Sequence, residues 1–219
     1  MELILGLFRG AIRRIINLLY QLKVNSKGNN KLILDISSIE IANCTFNIKG
    51  SNNEIIIKNG TCLKNCEVYI RGNNCRIYIG KNSILKRLVL WLEDSHSCIK
   101  IGNCFSVESG HFASTEGGKI IIGDNCLFST NIEIRNGDSH SIIDCENNYR
   151  LNHASDVEIS NDVWVGANVV ILKGSFIPND SIVANSSVVI GKMSPCNSII
   201  GGYPAKTIKT GVRWIHKRI

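Results

Sequence analysis

Apolar residues in this chain come in short runs separated by polar corners, without the spacing of helical turns. The strings KLILDI, NEIIIK, CRIYIG, SCIKIG, GKIIIG and DVEIS end on Ile36, Ile57, Ile79, Ile101, Ile122 and Ile159, at steps of 21, 22, 22, 21 and 37 residues. Corners such as Ser51-Asn52-Asn53 and Gly72-Asn73-Asn74 precede most of them. A fixed period near 20 indicates a solenoid, in which each turn buries its apolar side against the next. After Ile159 a finer period appears. Ile159, Val165, Ile171, Ile177, Val183 and Val189 recur every six residues, and Val163, Val169, Ser175, Ser181 and Ser187 stand four residues after the first five. Six residues cannot hold a helical face in phase, but they do make one short strand and one corner. Three such units close a triangular coil of 18 residues. The 21–22 steps add a longer corner, and the step of 37 adds a 19-residue excursion beginning at about His140. This predicts about eight coils, stacked ~4.8 Å apart as neighbouring strands are.

Residues 2–23 follow another pattern. At 100° per residue, Arg9, Arg13, Arg14, Asn17 and Gln21 fall on one half of a helix, and Ile4, Phe8, Ile12, Ile15, Leu18, Leu19 and Leu22 on the other. Such an amphipathic helix either packs on the solenoid or lies on an anionic membrane face. The division expected is a helix over 1–24, a β-solenoid over 30–206 with an excursion loop at 140–158, and a basic C-terminal segment over 207–219.

Composition fits this picture. The chain has 35 Ile and 25 Asn among 219 residues, with only 3 Pro. The β-branched excess argues against a helical bundle. Asn and Gly suit tight corners because they tolerate positive φ. The net charge of +7 is uneven: residues 1–31 carry +5, residues 190–219 carry +6, and the middle carries −4. Positive charge confined to the two ends speaks against nucleic acid as a partner and suits a phosphate-bearing cofactor or an anionic membrane. The nine Cys show no CxxC pair and read as small buried thiols of a reducing compartment. No secretory signal or membrane-spanning run is visible, so a cytoplasmic location, peripheral to the inner membrane if the helix binds lipid, is expected.

The hexads resemble those of the hexapeptide-repeat acyltransferases. That likeness implies an all-β fold, a left-handed parallel β-helix; periodicity alone gives no hand. A closer likeness lies in IEIRNGDSHSIID (132–144), RLN (150–152), ISNDVWVGANVVILKG (159–174) and GGYPAK (201–206). These segments resemble the capsular polysaccharide and sialic-acid O-acetyltransferases, and more distantly the galactoside and maltose acetyltransferases. The likeness implies a homotrimer with active sites between subunits, acetyl-CoA as donor without a metal, and a cell-surface glycan (capsule or O-antigen) or its precursor as acceptor.

Within that frame His140 is the candidate general base. An acceptor hydroxyl loses its proton as it attacks a thioester, and a neutral imidazole can take it, at ~10²–10⁴-fold benefit. His140 also stands where regular coiling breaks. Asp138 and Asp144 are candidates to hold its tautomer. Trp164, 24 residues on, is expected by resemblance to position donor and acceptor. The backbone N–H of Ala167 is the implied oxyanion donor, a role worth ~2.7–4 kcal/mol. Resemblance places the CoA arm along the later coils, at Gly174, Ser186, Ala205 and Lys206, with Lys173 and Lys192 near the CoA phosphates and the basic end beyond them. Arg135, Asp138, Arg150 and Asn152 match glycan-branch positions on the acceptor side, and His111, one to two coils from His140, is a further acceptor contact. Arg135 or Arg150 could pair with a sugar carboxylate.

Rival readings are an acetyltransferase for a small sugar or amino sugar, and a non-enzymatic binding solenoid. A zinc enzyme of this fold needs three gathered histidines, and His96, His111, His140, His153 and His216 include no close pair.

Overall fold

Each hexad aliphatic has one place to go, the inside of a tube, and the corners between hexads turn the chain through a triangle. The structure, a computed structural model, describes residues 2–4, 21–35 and 39–219. The chain winds through three parallel sheets in the repeating order B, A, C. Sheet A stacks Lys31–Asp35, Glu54–Ile57, Arg76–Ile79, Cys98–Ile101, Lys119–Ile122, Val157–Ile159 and Phe176–Ile177. Sheet B stacks Leu22–Ser26, Cys44–Ile48, Glu67–Ile70, Leu88–Leu92, Gly110–Ser114, Ile132–Arg135, Val170–Ile171 and Val188–Val189. Sheet C stacks Glu40–Ala42, Cys62–Lys64, Ile84–Lys86, Ser106–Val107, Leu127–Phe128, Trp164–Val165, Ile182–Val183 and Ser198–Gly202. Two antiparallel strands close the edges: Glu2–Ile4 on sheet A and Ala205–Thr210 on sheet C. The fold is an all-β left-handed parallel β-helix of about eight turns.

The six-residue rhythm is the inward rhythm. Ile159, Val165, Ile171, Ile177, Val183 and Val189 are all buried, and so are Val163, Val169, Ser175, Ser181 and Ser187. Each buried aliphatic contributes ~1.5–3 kcal/mol. Under the middle coils the tube is filled by aromatics. Phe128 meets Phe105 and Phe112 edge-on, at centroid distances of 4.9 and 6.2 Å. Corners follow the expected chemistry: of the 18 non-glycine described residues with positive φ, ten are Asn. Corner side chains also form ladders. The amide of each coil's corner is capped from the next coil, as in Lys81 N to Asn103 Oδ1 (3.0 Å), Asn103 N to Asp124 Oδ1 (2.7 Å), Asp124 N to Asn161 Oδ1 (2.8 Å) and Asn161 N to Asn179 Oδ1 (2.9 Å).

Five expectations change. Ile57 stacks on Leu34, a step of 23, while Ile36 lies outside the described residues. Leu34 and Ile36 would share a face of an extended strand, so alternation could not choose between them. The excursion fills the whole interval between Arg135 and Val157, starting before His140. Residues 207–210 belong to the last hairpin, not to a separate tail. Of the helix expected over 2–23, residues 5–20 lie outside the described residues, while both ends are strand, Glu2–Ile4 and Leu22–Ser26. The nine cysteines are unpaired, but only Cys44, Cys66, Cys75 and Cys126 are buried; Cys104, Cys145 and Cys196 are exposed.

Candidate active site

The excursion leaves the solenoid where sheet B turns toward sheet A, and its first residues are pinned there. Asn136, fully buried, accepts the Thr115 N–H on Oδ1 (2.8 Å) and donates Nδ2 to Thr115 O (3.1 Å). Gly118 is required beside it, since a Cβ there would meet Asn136 Nδ2 at 2.2 Å. Beyond this anchor the loop folds on itself, with Ile143 and Arg150 bridged antiparallel and Asp144 capping the turn at Glu146 and Asn147. Asn152 organises the rest. Its Oδ1 accepts Ile142 N (2.7 Å) and Arg150 Nε (3.3 Å), and its Nδ2 donates to Asp138 Oδ2 (2.7 Å) and to the carbonyl of His140 (2.8 Å). Lys173, from the coil above, donates to Asp138 Oδ2 (2.5 Å) and Asn152 O (3.1 Å). Arg150 reaches back to Glu116 on the coil below.

These contacts hold His140 over a cavity of about 640 Å³ against the outer face of sheet B. His111, Arg135, Asp138 and Arg150 line the same cavity, as do Trp91, Ala113 and Thr115. His111 Nδ1 lies 3.1 Å from Glu133 Oε1, and Arg135 gives Nε to the same carboxylate. Burial pushes the Glu133 carboxyl up, but His111 and Arg135 outweigh it, leaving it below the usual range. The Lys173 and Asn152 hydrogen bonds hold Asp138 below its ordinary value, and the Arg150 hydrogen bond does the same for Glu116.

A lowered carboxyl pKa stabilises the fold above the unfolded value and loses that effect as pH falls through the folded one. The loop clamps at Asp138 and Glu116 are therefore intact at any pH above about 4, the ordinary carboxylate range. Below it they open as the carboxyls protonate. Amide exchange over 138–152 is expected to speed up on acidification below that point while the solenoid strands stay protected. Equal acceleration of strands and loop would refute a local clamp.

Several expected roles shift. Lys173 is bound to Asp138 and Asn152 and so braces the loop; it is not placed to meet CoA phosphates. Asn152 is 7% exposed and saturated by loop contacts, which makes it a positioning residue with no reach to an acceptor. Asp138 faces the cavity but spends its carboxylate on the same loop contacts, and Asp144 caps a turn; among the described residues neither bonds the His140 ring. The Ala167 N–H is already given to Asn185 Oδ1 at 2.9 Å, as part of a corner ladder, so it is not an open oxyanion donor.

Other expected site residues are not brought to His140 within one chain. Trp164 stands on the outer face of sheet C, 41% exposed, beside Trp214, whose Nε1 donates to Asp162 O (2.6 Å). Ser186 sits at the corner above Ala167, Ala205 and Lys206 lie in the last hairpin, and Lys192 is exposed near Phe176. Gly174 alone is near the excursion, with its N–H on Ser155 O (3.2 Å). Among the described residues, no three His, Cys, Asp or Glu side chains gather as metal ligands do. Trp91, Glu116 and Glu133 are site residues that the motifs did not single out. Trp91 was legible in one respect: Trp91, Ala113 and Arg135 are 22 residues apart, one coil step each.

No family model matches the chain. A polysialic acid O-acetyltransferase of Neisseria meningitidis is 36% identical over 109 residues, 50% of this chain and 51% of that protein. A polysialic acid O-acetyltransferase of Escherichia coli O1:K1 is 32% identical over 118 residues, 54% of this chain and 38% of that protein. The crystal structure of the polysialic acid O-acetyltransferase OatWY superposes with a TM-score of 0.78 at 31% identity, covering 90% of this chain and 89% of that one. The chain belongs to the hexapeptide-repeat acyltransferase superfamily. The polySia-specific acetyltransferase NeuO has the same hexapeptide-repeat fold, with a TM-score of 0.77 at 27% identity over 90% of this chain. This hexapeptide-repeat chain spans about half the length of the first relative named and less of the second.

Proposed function

We propose that the protein is an acetyl-CoA-dependent O-acetyltransferase that esterifies a sugar hydroxyl of an acidic cell-surface glycan or its precursor. The observation that carries this reading is the His140 cavity: an imidazole held by its backbone in a cleft walled by Trp91 and lined by His111, Arg135 and Arg150, on a fold shared over nearly the whole chain with a polysialic acid O-acetyltransferase.

His140 takes the proton of the acceptor hydroxyl as its oxygen attacks the thioester carbon. The resulting imidazolium returns the proton to the CoA sulfur as the C–S bond breaks. The transfer is direct, within a ternary complex, because neither Ser139 nor Ser141 has a base positioned on it among the described residues. Arg135, bonded through Nε alone, suits a carboxylated sugar, whereas Arg150 is committed to Glu116 and Asn152.

The reading includes a homotrimer with each active site shared between copies. Trp164 and the CoA-arm candidates Ser186, Ala205 and Lys206 do not line the His140 cavity of their own chain, and a column of Ile84, Ser106, Leu127, Trp164, Ile182 and Ile199, apolar except at Ser106, runs along the outer face of sheet C. In this reading a second copy seats on that column and shares its site with this Trp164. Lys192 and the basic end supply charge for CoA phosphates. The unpaired thiols fit a reducing cytoplasm, where acetyl-CoA is available.

The test follows CoA release with acetyl-CoA and oligomers of sialic acid, against neutral glucan oligomers of equal length. Release with the acidic oligomer and acetyl ester on the product are expected. CoA binding with no release on any acidic glycan would refute the assignment.

A further inference from the structure

On the outer face of sheet B one column of side chains runs along the solenoid axis: Asn47, Tyr69, Trp91, Ala113 and Arg135, each one coil above the last. Ala113 is a gap in that column. Tyr69 and Trp91 stack with centroids 4.1 Å apart and planes 24° from parallel. The indole therefore turns its other face to the gap. Its orientation is fixed from two more sides: Nε1 donates to Glu93 Oε2 (2.7 Å), and the His111 ring meets it edge-on at 6.4 Å. Across the gap, Arg135 gives Nε to Glu133, and its two terminal nitrogens make no hydrogen bond among the described residues. Trp91, Ala113 and Arg135 all line the His140 cavity, and Ala113, 6% exposed, is its floor at this point.

The dimensions select what fits. Trp91 and Arg135 are two strand spacings apart, ~9.5 Å. A ring in van der Waals contact on both faces needs ~3.5–4 Å to each neighbour, ~7–8 Å in all. The slot admits one puckered six-membered ring, and not two. Its walls differ in chemistry. An indole face accepts the apolar C–H face of a pyranose, and a guanidinium with two free N–H₂ groups accepts a carboxylate in bidentate fashion.

We propose that this slot seats the acceptor: one carboxylated pyranose of the glycan enters over Ala113, stacks on Trp91, binds its carboxylate to Arg135, and presents a hydroxyl to His140 at the loop side of the cavity. The identity of the ring as an acceptor rests on the acetyltransferase reading above; the slot and its selectivity do not.

Filling the gap is the test. Ala113 points outward, so Ala113→Leu adds carbons to the slot and not to the core. Binding of a sialic acid oligomer is read without donor, by calorimetry or saturation-transfer NMR, and transfer is read separately. Ala113→Leu and Trp91→Ala are each expected to weaken oligomer binding and raise the acceptor KM at least tenfold, with acetyl-CoA KM and the melting midpoint close to wild type. Trp91→Phe is expected to recover part of the loss, and Asn47→Ala, two coils below the slot in the same column, to change nothing. Equal oligomer binding by wild type and Ala113→Leu, or no oligomer binding by wild type at millimolar concentration, would overturn the slot. Because binding is read without donor, wild type that binds the oligomer in a slot-dependent way but transfers nothing would count against the acetyltransferase reading alone.

Discussion

Replacement of His140 by Ala is expected to lower kcat by about 10²–10⁴-fold, with the affinity for acetyl-CoA near wild type. The attacking hydroxyl is a poor nucleophile until its proton leaves, and an imidazole is the side chain suited to remove it at neutral pH. The cavity contains a second imidazole, and it sets a sharper test. His111 has Nδ1 against Glu133, the arrangement that fixes a tautomer, whereas the His140 ring has no such partner among the described residues. His111, however, lies within sheet B, with its ring edge against Trp91 and its strand under the acceptor slot. There it packs against the indole, and in the proposed slot it would touch the acceptor. His111→Gln is therefore expected to raise the acceptor KM with a smaller effect on kcat, the reverse of His140→Ala. Single-turnover measurements with saturating acceptor separate the two. If His140→Ala turns over at the wild-type rate, or if His111→Gln carries the loss of kcat instead, the base is misassigned.

The fold was legible where the chain repeats most strictly. From 159 to 189 a side chain every sixth position admits one arrangement, and all six aliphatics are buried as that arrangement requires. It was less legible at the first coil, where apolar alternation offers several positions for the stacking residue and only hydrogen-bond register pairs Ile57 with Leu34. The same limit governed the site. His140 stood out because regularity ends near it, but the use of a polar side chain depends on where its tip lands. Lys173 has the charge for a phosphate; the corner turns it to Asp138. Ala167 has the small side chain of an oxyanion site; the ladder of Asn residues claims its N–H. Trp91 carries no motif signal in the sequence. Its importance comes from stacking on Tyr69 and from the gap at Ala113, contacts between residues 22 apart that become neighbours only once the coil length is known.

Asn152→Ala is expected to reduce kcat by about 10²-fold without unfolding the solenoid. The side chain touches no reacting atom in this reading; its effect passes through His140. All four of its hydrogen bonds end within the excursion, at Ile142, Arg150, Asp138 and the His140 carbonyl. Each is worth ~0.5–1.5 kcal/mol net, and that loss is confined to a segment that adds little to the buried core. The solenoid's melting midpoint should therefore barely move, while amide exchange over 138–152 should rise. The kinetic effect is larger because proton transfer depends on placement to a fraction of an ångström, and a shift of ~1 Å can cost 10²-fold. Asn152→Asp should be no milder, since it keeps the shape, loses both N–H donors and sets a second carboxylate beside Asp138. The decisive measurement is a double-mutant cycle. If Asn152 acts by holding His140, then adding Asn152→Ala to His140→Ala should change kcat little, because there is no longer an imidazole to misplace. Additive losses would show that Asn152 contributes by another route, and the loop would then shape the acceptor site independently of the base.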